Sequence, residues 1–343
     1  MGQPLPMTVS HDKSLQMICH ALRNRQVIDF VHASVRTGYL EFFLTQGEHV
    51  NTMLDEAFDR LARSQSDAID PKKLGEATSL LLENTFRKGD SSYWFNRGYH
   101  EYKTRIKPEA DFQQVKQLIP GTSVLDYGCG SGYLAARLAL GGYNVFTTDV
   151  LDYRYEEAKH LPFVQMTSAT HIPYPDNSID TALVQAVLHH IDPGDLPVVI
   201  QRLGRIAKHL LIKEDTYDLP AELDGLAERI AAEPLLKSFT HMSREAQYQA
   251  LVLIDFFANA IAQGIPEMNM PFEFKTISQW RQILGDNGFR IARTLVVGFE
   301  PGRMHKSCHV WLLCDRIVSG GGGSGGAFAF SRAKASSIPP EGR

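Results

Sequence analysis

Four cysteines in 343 residues are too few for a disulfide framework. Cys19, Cys129, Cys308 and Cys314 form neither a CxxC pair nor a Cys/His array with zinc spacing. Reduced thiols in an intracellular protein, with no metal site, are therefore expected. Long apolar runs are missing too, and none could cross a bilayer. The N-terminus lacks the charged and apolar regions of a secretion signal. It begins Met1-Gly2, as a myristoylation signal does, but Pro6 stands where Ser or Thr is needed. Charge of one sign is absent as well: 35 Lys and Arg face 39 Asp and Glu, for a net charge of -4. That balance argues against a broad surface for phosphate backbones, which need clustered cations to displace their counterions. A cytoplasmic protein without membrane or nucleic-acid partners is expected, its oligomeric state open.

The 43% hydrophobic content is ordinary for a globular chain. Residues 1–107 read as a helical region. Val50, Met53, Leu54, Ala57, Phe58 and Leu61 recur at helical spacing, Ser14–Gln46 is helix-like, and Asp70-Pro71 marks a break before a helix over Leu74–Phe86. Ser91–Arg105 is aromatic and basic with no clean period. Residues 108–318 change pattern, to short apolar strands alternating with helices. Strands are expected at Ser123–Tyr127, Asn144–Asp149, Phe163–Met166, Thr181–Gln185, His209–Lys213, Arg290–Val297 and Cys308–Cys314. Helices are expected at Tyr133–Leu140, Leu196–Ile206 and Ser278–Asn287, with a helical insertion over 218–271. The fold class is α/β: a doubly wound, mostly parallel sheet with an antiparallel C-terminal edge strand. Residues 319–343 begin with a run of glycines and read as a flexible tail.

The most informative stretch is Val124-Leu125-Asp126-Tyr127-Gly128-Cys129-Gly130-Ser131-Gly132-Tyr133. An apolar strand runs into a glycine-rich turn and then a helix. The chain must leave the strand sharply and bring its backbone close to a ligand, so side chains there would clash. Asp126, at the strand end, can accept a hydrogen bond from a ligand ammonium. The spacing Asp-x-Gly-x-Gly-x-Gly differs from the dinucleotide fingerprint. About 20 residues on, a second strand ends in Asp149, where a carboxylate can hold ribose hydroxyls.

These motifs resemble class I S-adenosylmethionine-dependent methyltransferases, in particular the small-molecule group related to ubiquinone and menaquinone biosynthesis. Further landmarks occur in the same order: Ile172-Pro173-Tyr174-Pro175-Asp176-Asn177-Ser178-Ile179-Asp180, then Ala186-Val187-Leu188-His189-His190-Ile191. The resemblance covers roughly residues 119–316 and implies S-adenosyl-L-methionine as cofactor. It implies that Asp126, Gly128, Cys129, Gly130 and Gly132 hold the methionine end and that Asp149 takes the ribose. Val150 and Leu151 would lie against the adenine. Ser168, followed by Ala169, stands where the family often has an acid contacting the adenine amino group. Gln185 would face the sulfonium.

Methyl transfer needs an aligned nucleophile and, for an oxygen, a proton acceptor. His190 is the first candidate base because imidazole titrates near neutrality, and His189 the second; Asp215, at the end of a strand, is a candidate catalytic residue through contact with the substrate. Tyr99 and His100 could close over the cofactor, whereas His305 and His309 read as structural. In the insertion, Leu251, Ile254, Phe257, Ala258 and Ile261 form an apolar stripe, extended by Met270, Phe272 and Phe274. Core packing is the default reading of the stripe; as a substrate wall it would make an apolar chamber suited to a small molecule. The leading expectation is transfer to oxygen or nitrogen of a small molecule. The alternatives are an RNA or protein acceptor, for which Arg97, Lys103, Arg105 and Lys107 are the only compact basic group, and a silent cofactor-binding scaffold.

Overall fold

The computed structural model describes residues 9–86, 93–266, 268 and 270–317; the expected tail at 319–343 lies outside them. Seven strands form one sheet: β1 Ser123–Tyr127, β2 Asn144–Asp149, β3 Phe163–Gln165, β4 Ile179–Gln185, β5 Ala207–Asp215, β6 Phe289–Gly298 and β7 His309–Arg316. Their order is β3-β2-β1-β4-β5-β7-β6. The first five strands pair in parallel. β7 is antiparallel to both β5 and β6. The fold is therefore the expected α/β sheet with an antiparallel C-terminal strand; that strand slots between β5 and β6, so β6 forms the edge. Strands β1 and β4 are buried along almost their whole length, as a sheet covered on both faces requires.

The helices Tyr133–Leu140 and Leu196–Ile206 have the expected bounds. The N-terminal stretch is less continuous than its periodicity suggests. It breaks after Ala21 and restarts at Arg25, where the Asn24 side chain accepts the Val27 N–H and caps the new helix Arg25–Phe42. Asp70 caps Pro71–Leu81 in the same way, with Pro71 in the first turn. The aromatic segment without a period is helical after all. Trp94–Glu101 passes through a wide π turn at Tyr102–Ile106 into Lys107–Val115. A π turn inserts a residue and shifts the buried face, so no single 3.6-residue period fits across it.

The insertion supplies Leu226–Ala232, Pro234–Thr240 and Arg244–Phe256, the last continuing as a π turn at Phe257–Ala262. These helices share one apolar core with the N-terminal helices and the sheet. Phe58 stacks on Phe257 at 5.2 Å, and Phe30 meets both Phe239 and Phe299. Arg25–Phe42 also braces the segment between β6 and β7. A Cβ on Gly38 would overlap the Met304 carbonyl, so only glycine permits that approach. One turn earlier, Ser34 Oγ donates to the Lys306 carbonyl at 3.0 Å. No helix among the described residues is long and apolar enough to cross a membrane.

Candidate active site

The site begins where β1 ends. The Gly128 and Cys129 N–H groups donate to the Thr148 carbonyl of β2, at 2.9 and 3.1 Å, so the chain bends sharply after Tyr127. Gly130 has φ +51, and a Cβ there would point into open space. Its backbone is thus bare toward whatever fills that space. Gly132 caps the following helix. Asp149 Oδ2 accepts the Gly130 N–H at 2.8 Å and Oδ1 the Val150 N–H at 2.7 Å.

In front of the bend lies a cleft of about 300 Å³. Of the residues singled out by sequence, the fold brings Asp126, Gly128, Cys129, Gly130, Gln185, His189, His190 and Asp215 onto its wall. Asp149, Val150, Leu151, Ser168 and Ala169 are not on that wall. Val150 and Leu151 are exposed beyond the bend. Ser168 Oγ lies 3.1 Å from Thr170 Oγ1, and the Ala169 carbonyl accepts the Tyr127 hydroxyl at 2.8 Å. Gln185 Oε1 is buried with no hydrogen-bond partner among the described residues. Ala186, next to it, is held at φ +53, an uncommon conformation for a residue with a Cβ and one found at ligand sites.

The cleft wall is charged, and the apolar stripe is mostly core packing, its default reading, rather than the substrate wall that would make an apolar chamber. Leu251, Phe257, Ile261, Met270, Phe272 and Phe274 are buried and belong to the apolar core; of the stripe only Ile254 and Ala258 reach the cleft. The insertion helix is buried on several sides, and periodicity cannot say which buried side faces a hole. Asp255, beside Ile254, puts a carboxylate there instead. Lys103 and Lys107, weighed for a basic nucleic-acid groove, also turn into the cleft. Lys103 Nζ donates to Gln263, and Lys107 Nζ to Asp111 at 2.6 Å. Arg105 pairs with Glu101 on the surface.

Deep in the cleft, Asp111 meets Lys107 at 2.6 Å, Arg303 at 2.7 Å and Lys213 at 3.6 Å. Burial opposes the charge on Asp111, yet the three cations outweigh it and hold the carboxyl well below the usual range. Glu300, 3.1 Å from Lys213 and 3.3 Å from Arg303, is likewise held at about 2 against the effect of burial. Asp126 behaves oppositely. Burial, then Asp149, pushes it up to about 7, with Lys107 opposing. Burial, then Lys107, lowers Lys103 to about 8.

The two histidines after β4 differ sharply. Glu214 accepts the backbone N–H groups of Val187 and Leu188, at 3.0 and 2.7 Å, and its Oε2 sits 2.5 Å from His189 Nδ1. His189 Nε2 lies 3.6 Å from Asp255 Oδ1. Burial disfavours the imidazolium, but Glu214 and Asp255 together raise His189 well above its usual range. A group that holds its proton so firmly is a poor general base. His190 is part-exposed, its Nε2 4.0 Å from the same Asp255 oxygen. Asp215 Oδ1 lies 3.2 Å from His309 Nε2, and burial pushes the carboxyl up to about 6.

His305 and His309, expected to be structural, both face the cleft. Neither ring nitrogen of His305 has a hydrogen-bond partner among the described residues, and burial, then Lys103, lowers it to about 3. Tyr99 reaches the cleft as expected, whereas His100 is exposed near Tyr155. Asp111, Asp255 and Arg303 carried no sequence signal. None belongs to a recognisable motif, and each is brought to the cleft from a different segment: the helix Lys107–Val115, the insertion helix and the stretch between β6 and β7.

With this geometry in place, comparison with known proteins locates the family signal. Residues 125–210 match the model of a methyltransferase domain. That span runs from the Asp126 strand through the His189-His190 turn into β5. Uncharacterized methyltransferases of Mycobacterium tuberculosis and Mycobacterium bovis are 29% identical over 139 residues, covering 39% of this chain and 57% of theirs. The match thus spans little more than half the length of these curated relatives. Among solved structures, magnesium protoporphyrin IX methyltransferase from Synechocystis with bound SAH aligns at 18% identity. It covers 71% of this chain and 94% of that one, with a TM-score of 0.38. The 1,6-didemethyltoxoflavin-N1-methyltransferase of Burkholderia thailandensis aligns at 16% identity, 65% and 86% coverage, and a TM-score of 0.42. Likeness at this level bears on neither activity nor acceptor.

Proposed function

We propose that the chain is an S-adenosylmethionine-dependent methyltransferase acting on oxygen or nitrogen of a small polar molecule. The observation that carries this reading is the bare backbone at Gly130, facing open space beside Asp126 inside the methyltransferase-domain match. The methionine end of the cofactor would lie along Gly128, Cys129 and Gly130, toward Gly132, its ammonium on Asp126. The ribose would meet Asp149 and the adenine would rest on Val150 and Leu151, beside Ser168 and Ala169. Gln185, with its unpartnered oxygen, would face the sulfonium end. Binding brings the methyl group; the chain's own residues align the acceptor and take its proton.

In the transfer itself, the acceptor's lone pair forms the new bond to the methyl carbon. The carbon–sulfur bond breaks with its electrons on sulfur. An acceptor hydroxyl must also lose its proton, and Asp215, one of the carboxylates on the cleft wall, raised by burial to about 6, would receive it. The helical region 1–107 and the insertion 218–271 act as the cover: both contribute cleft residues, and Gly38 and Ser34 brace the segment holding Arg303 and His305. A covered cleft of about 300 Å³ suits a small acceptor rather than RNA or protein. The inward turn of Lys103 and Lys107 favours the same side. The motif order shared with the ubiquinone and menaquinone group supports a small-molecule acceptor, and the charged walls point to a polar one.

The test is calorimetric titration of the full chain with S-adenosylmethionine and its demethylated product, followed by incubation of a host extract with methyl-labelled cofactor and mass spectrometry. Binding of neither compound would remove the reading. Binding without any labelled product would favour the silent scaffold.

A further inference from the structure

Three groups meet on the acceptor side of the cleft and are not accounted for by cofactor binding. His189 and His190 come from the turn after β4, and Asp255 from the insertion helix. One ligand atom from each, counting the imidazole nitrogens and a carboxylate oxygen, lies within 4.8 Å of the other two. His189 Nε2 is 3.6 Å and His190 Nε2 4.0 Å from Asp255 Oδ1. The two imidazole rings are only 4.1 Å apart, centroid to centroid. We propose that His189 Nε2, His190 Nε2 and Asp255 Oδ1 bind one divalent transition-metal cation, with zinc, manganese, iron, cobalt and nickel as the chemical class.

The supports of these groups are those of a metal site. Glu214 lies 2.5 Å from His189 Nδ1, which fixes that nitrogen as the N–H donor and leaves Nε2 free for coordination. Nε2 is buried and faces Asp255 Oδ1 at 3.6 Å, too long for a good hydrogen bond, so the two atoms look at each other across the shared space. Asn259 donates to Asp255 Oδ1 at 2.7 Å and orients the carboxylate, whose Oδ2 is also without a partner. The Glu273 N–H holds the His189 carbonyl at 3.0 Å, fixing the turn. Two imidazoles and one carboxylate form a set preferred by divalent transition metals. Three protein ligands leave positions open, as in catalytic rather than structural sites.

The field of Glu214 and Asp255 favours positive charge at His189 Nε2. A proton and a metal ion compete for that atom, and the protonated imidazolium is the competing occupant. On the methyl-transfer reading, on which this role rests, an acceptor oxygen takes an open position on the ion. There the ion weakens the oxygen's hold on its proton.

The test uses the full chain, stripped with a chelator, dialysed, and titrated with zinc or cobalt(II) alone by calorimetry. One equivalent is expected, with a cobalt absorption spectrum showing nitrogen ligation. His190→Gln and Asp255→Asn each weaken binding at least tenfold, and Glu214→Gln weakens it about 10- to 100-fold. Far- and near-ultraviolet dichroism checks folding, and His190, being part-exposed, keeps the test valid if the Asp255 variant does not fold. No cation binding, or binding unchanged in a folded His190→Gln variant, overturns the site. The same samples are titrated with S-adenosylhomocysteine. A chain that binds S-adenosylhomocysteine but takes up no added cation sinks the metal site alone; one that takes up the cation but does not bind S-adenosylhomocysteine sinks the methyl-transfer reading alone.

Discussion

Arg303 Nη2 lies 2.7 Å from Asp111 Oδ1 across the cleft, and both side chains are almost wholly buried. The pair joins the helix Lys107–Val115 to the segment between β6 and β7. Lys213 and Glu300 complete the network. Removing one charge leaves the others uncompensated while their side chains stay almost wholly buried. Arg303→Met should therefore destabilise the fold by about 3–5 kcal/mol. Chemical denaturation checks this; a loss under about 1 kcal/mol would show that Lys107 and Lys213 satisfy Asp111 unaided.

Asp126 should make stability pH-dependent in the ligand-free protein. Its carboxyl titrates near 7 in the fold, against an ordinary value of 3.8. Between these values the folded chain holds a proton that the unfolded chain has released, so this contribution falls as pH rises through the window. At most it amounts to about 4 kcal/mol. Asp126→Asn removes it, so the variant should melt higher than the parent at pH 8 and close to it at pH 4. It should also lose measurable cofactor affinity. A parent and variant with parallel pH profiles would contradict the assignment.

The same carboxyl should couple cofactor binding to protons. A ligand ammonium beside Asp126 favours the ionised form and lowers its pKa. Binding at pH 6 should then release close to one proton, and at pH 8.5 very little. Calorimetry in two buffers of different ionisation enthalpy reads this directly. Equal apparent enthalpies in both buffers at pH 6 would place the ammonium elsewhere.

Gly130→Ala tests the bend. The backbone there is left-handed at φ +51, which costs a residue with a Cβ about 1–2 kcal/mol. The added methyl enters the space proposed for the cofactor. Affinity for S-adenosylhomocysteine should fall at least tenfold while the melting temperature drops by only a few degrees. Unchanged affinity would mean that the cofactor does not run along this turn.

Asp215→Asn should lower kcat by about 10²–10⁴, with cofactor affinity nearly unchanged. Full activity would remove it as the proton acceptor.

The sheet could be read from the sequence almost strand by strand, because alternating apolar strands and helices carry their own periodicity. The Asp126–Gly132 bend was also legible, since its glycines answer a local backbone demand. The aromatic segment was not: the π turn at Tyr102–Ile106 breaks the period on which such readings rest. His189 and His190 stood out as a pair, but their difference did not. Glu214 and Asp255, which set it, lie 25 and 66 residues from His189.

Local order along the chain thus determined the strands, the bend and the acids at the ends of β1 and β2, Asp126 and Asp149, since each is specified by neighbours within a few residues. Tertiary structure alone decided the character of the cleft. Asp111, Lys213, Asp255 and Arg303 reach it from separate parts of the chain, with His305 beside Arg303 on the segment between β6 and β7, and a charge acquires its meaning only from what burial sets beside it. The chain lists these groups one at a time, whereas Coulomb interactions depend on distances that only packing fixes.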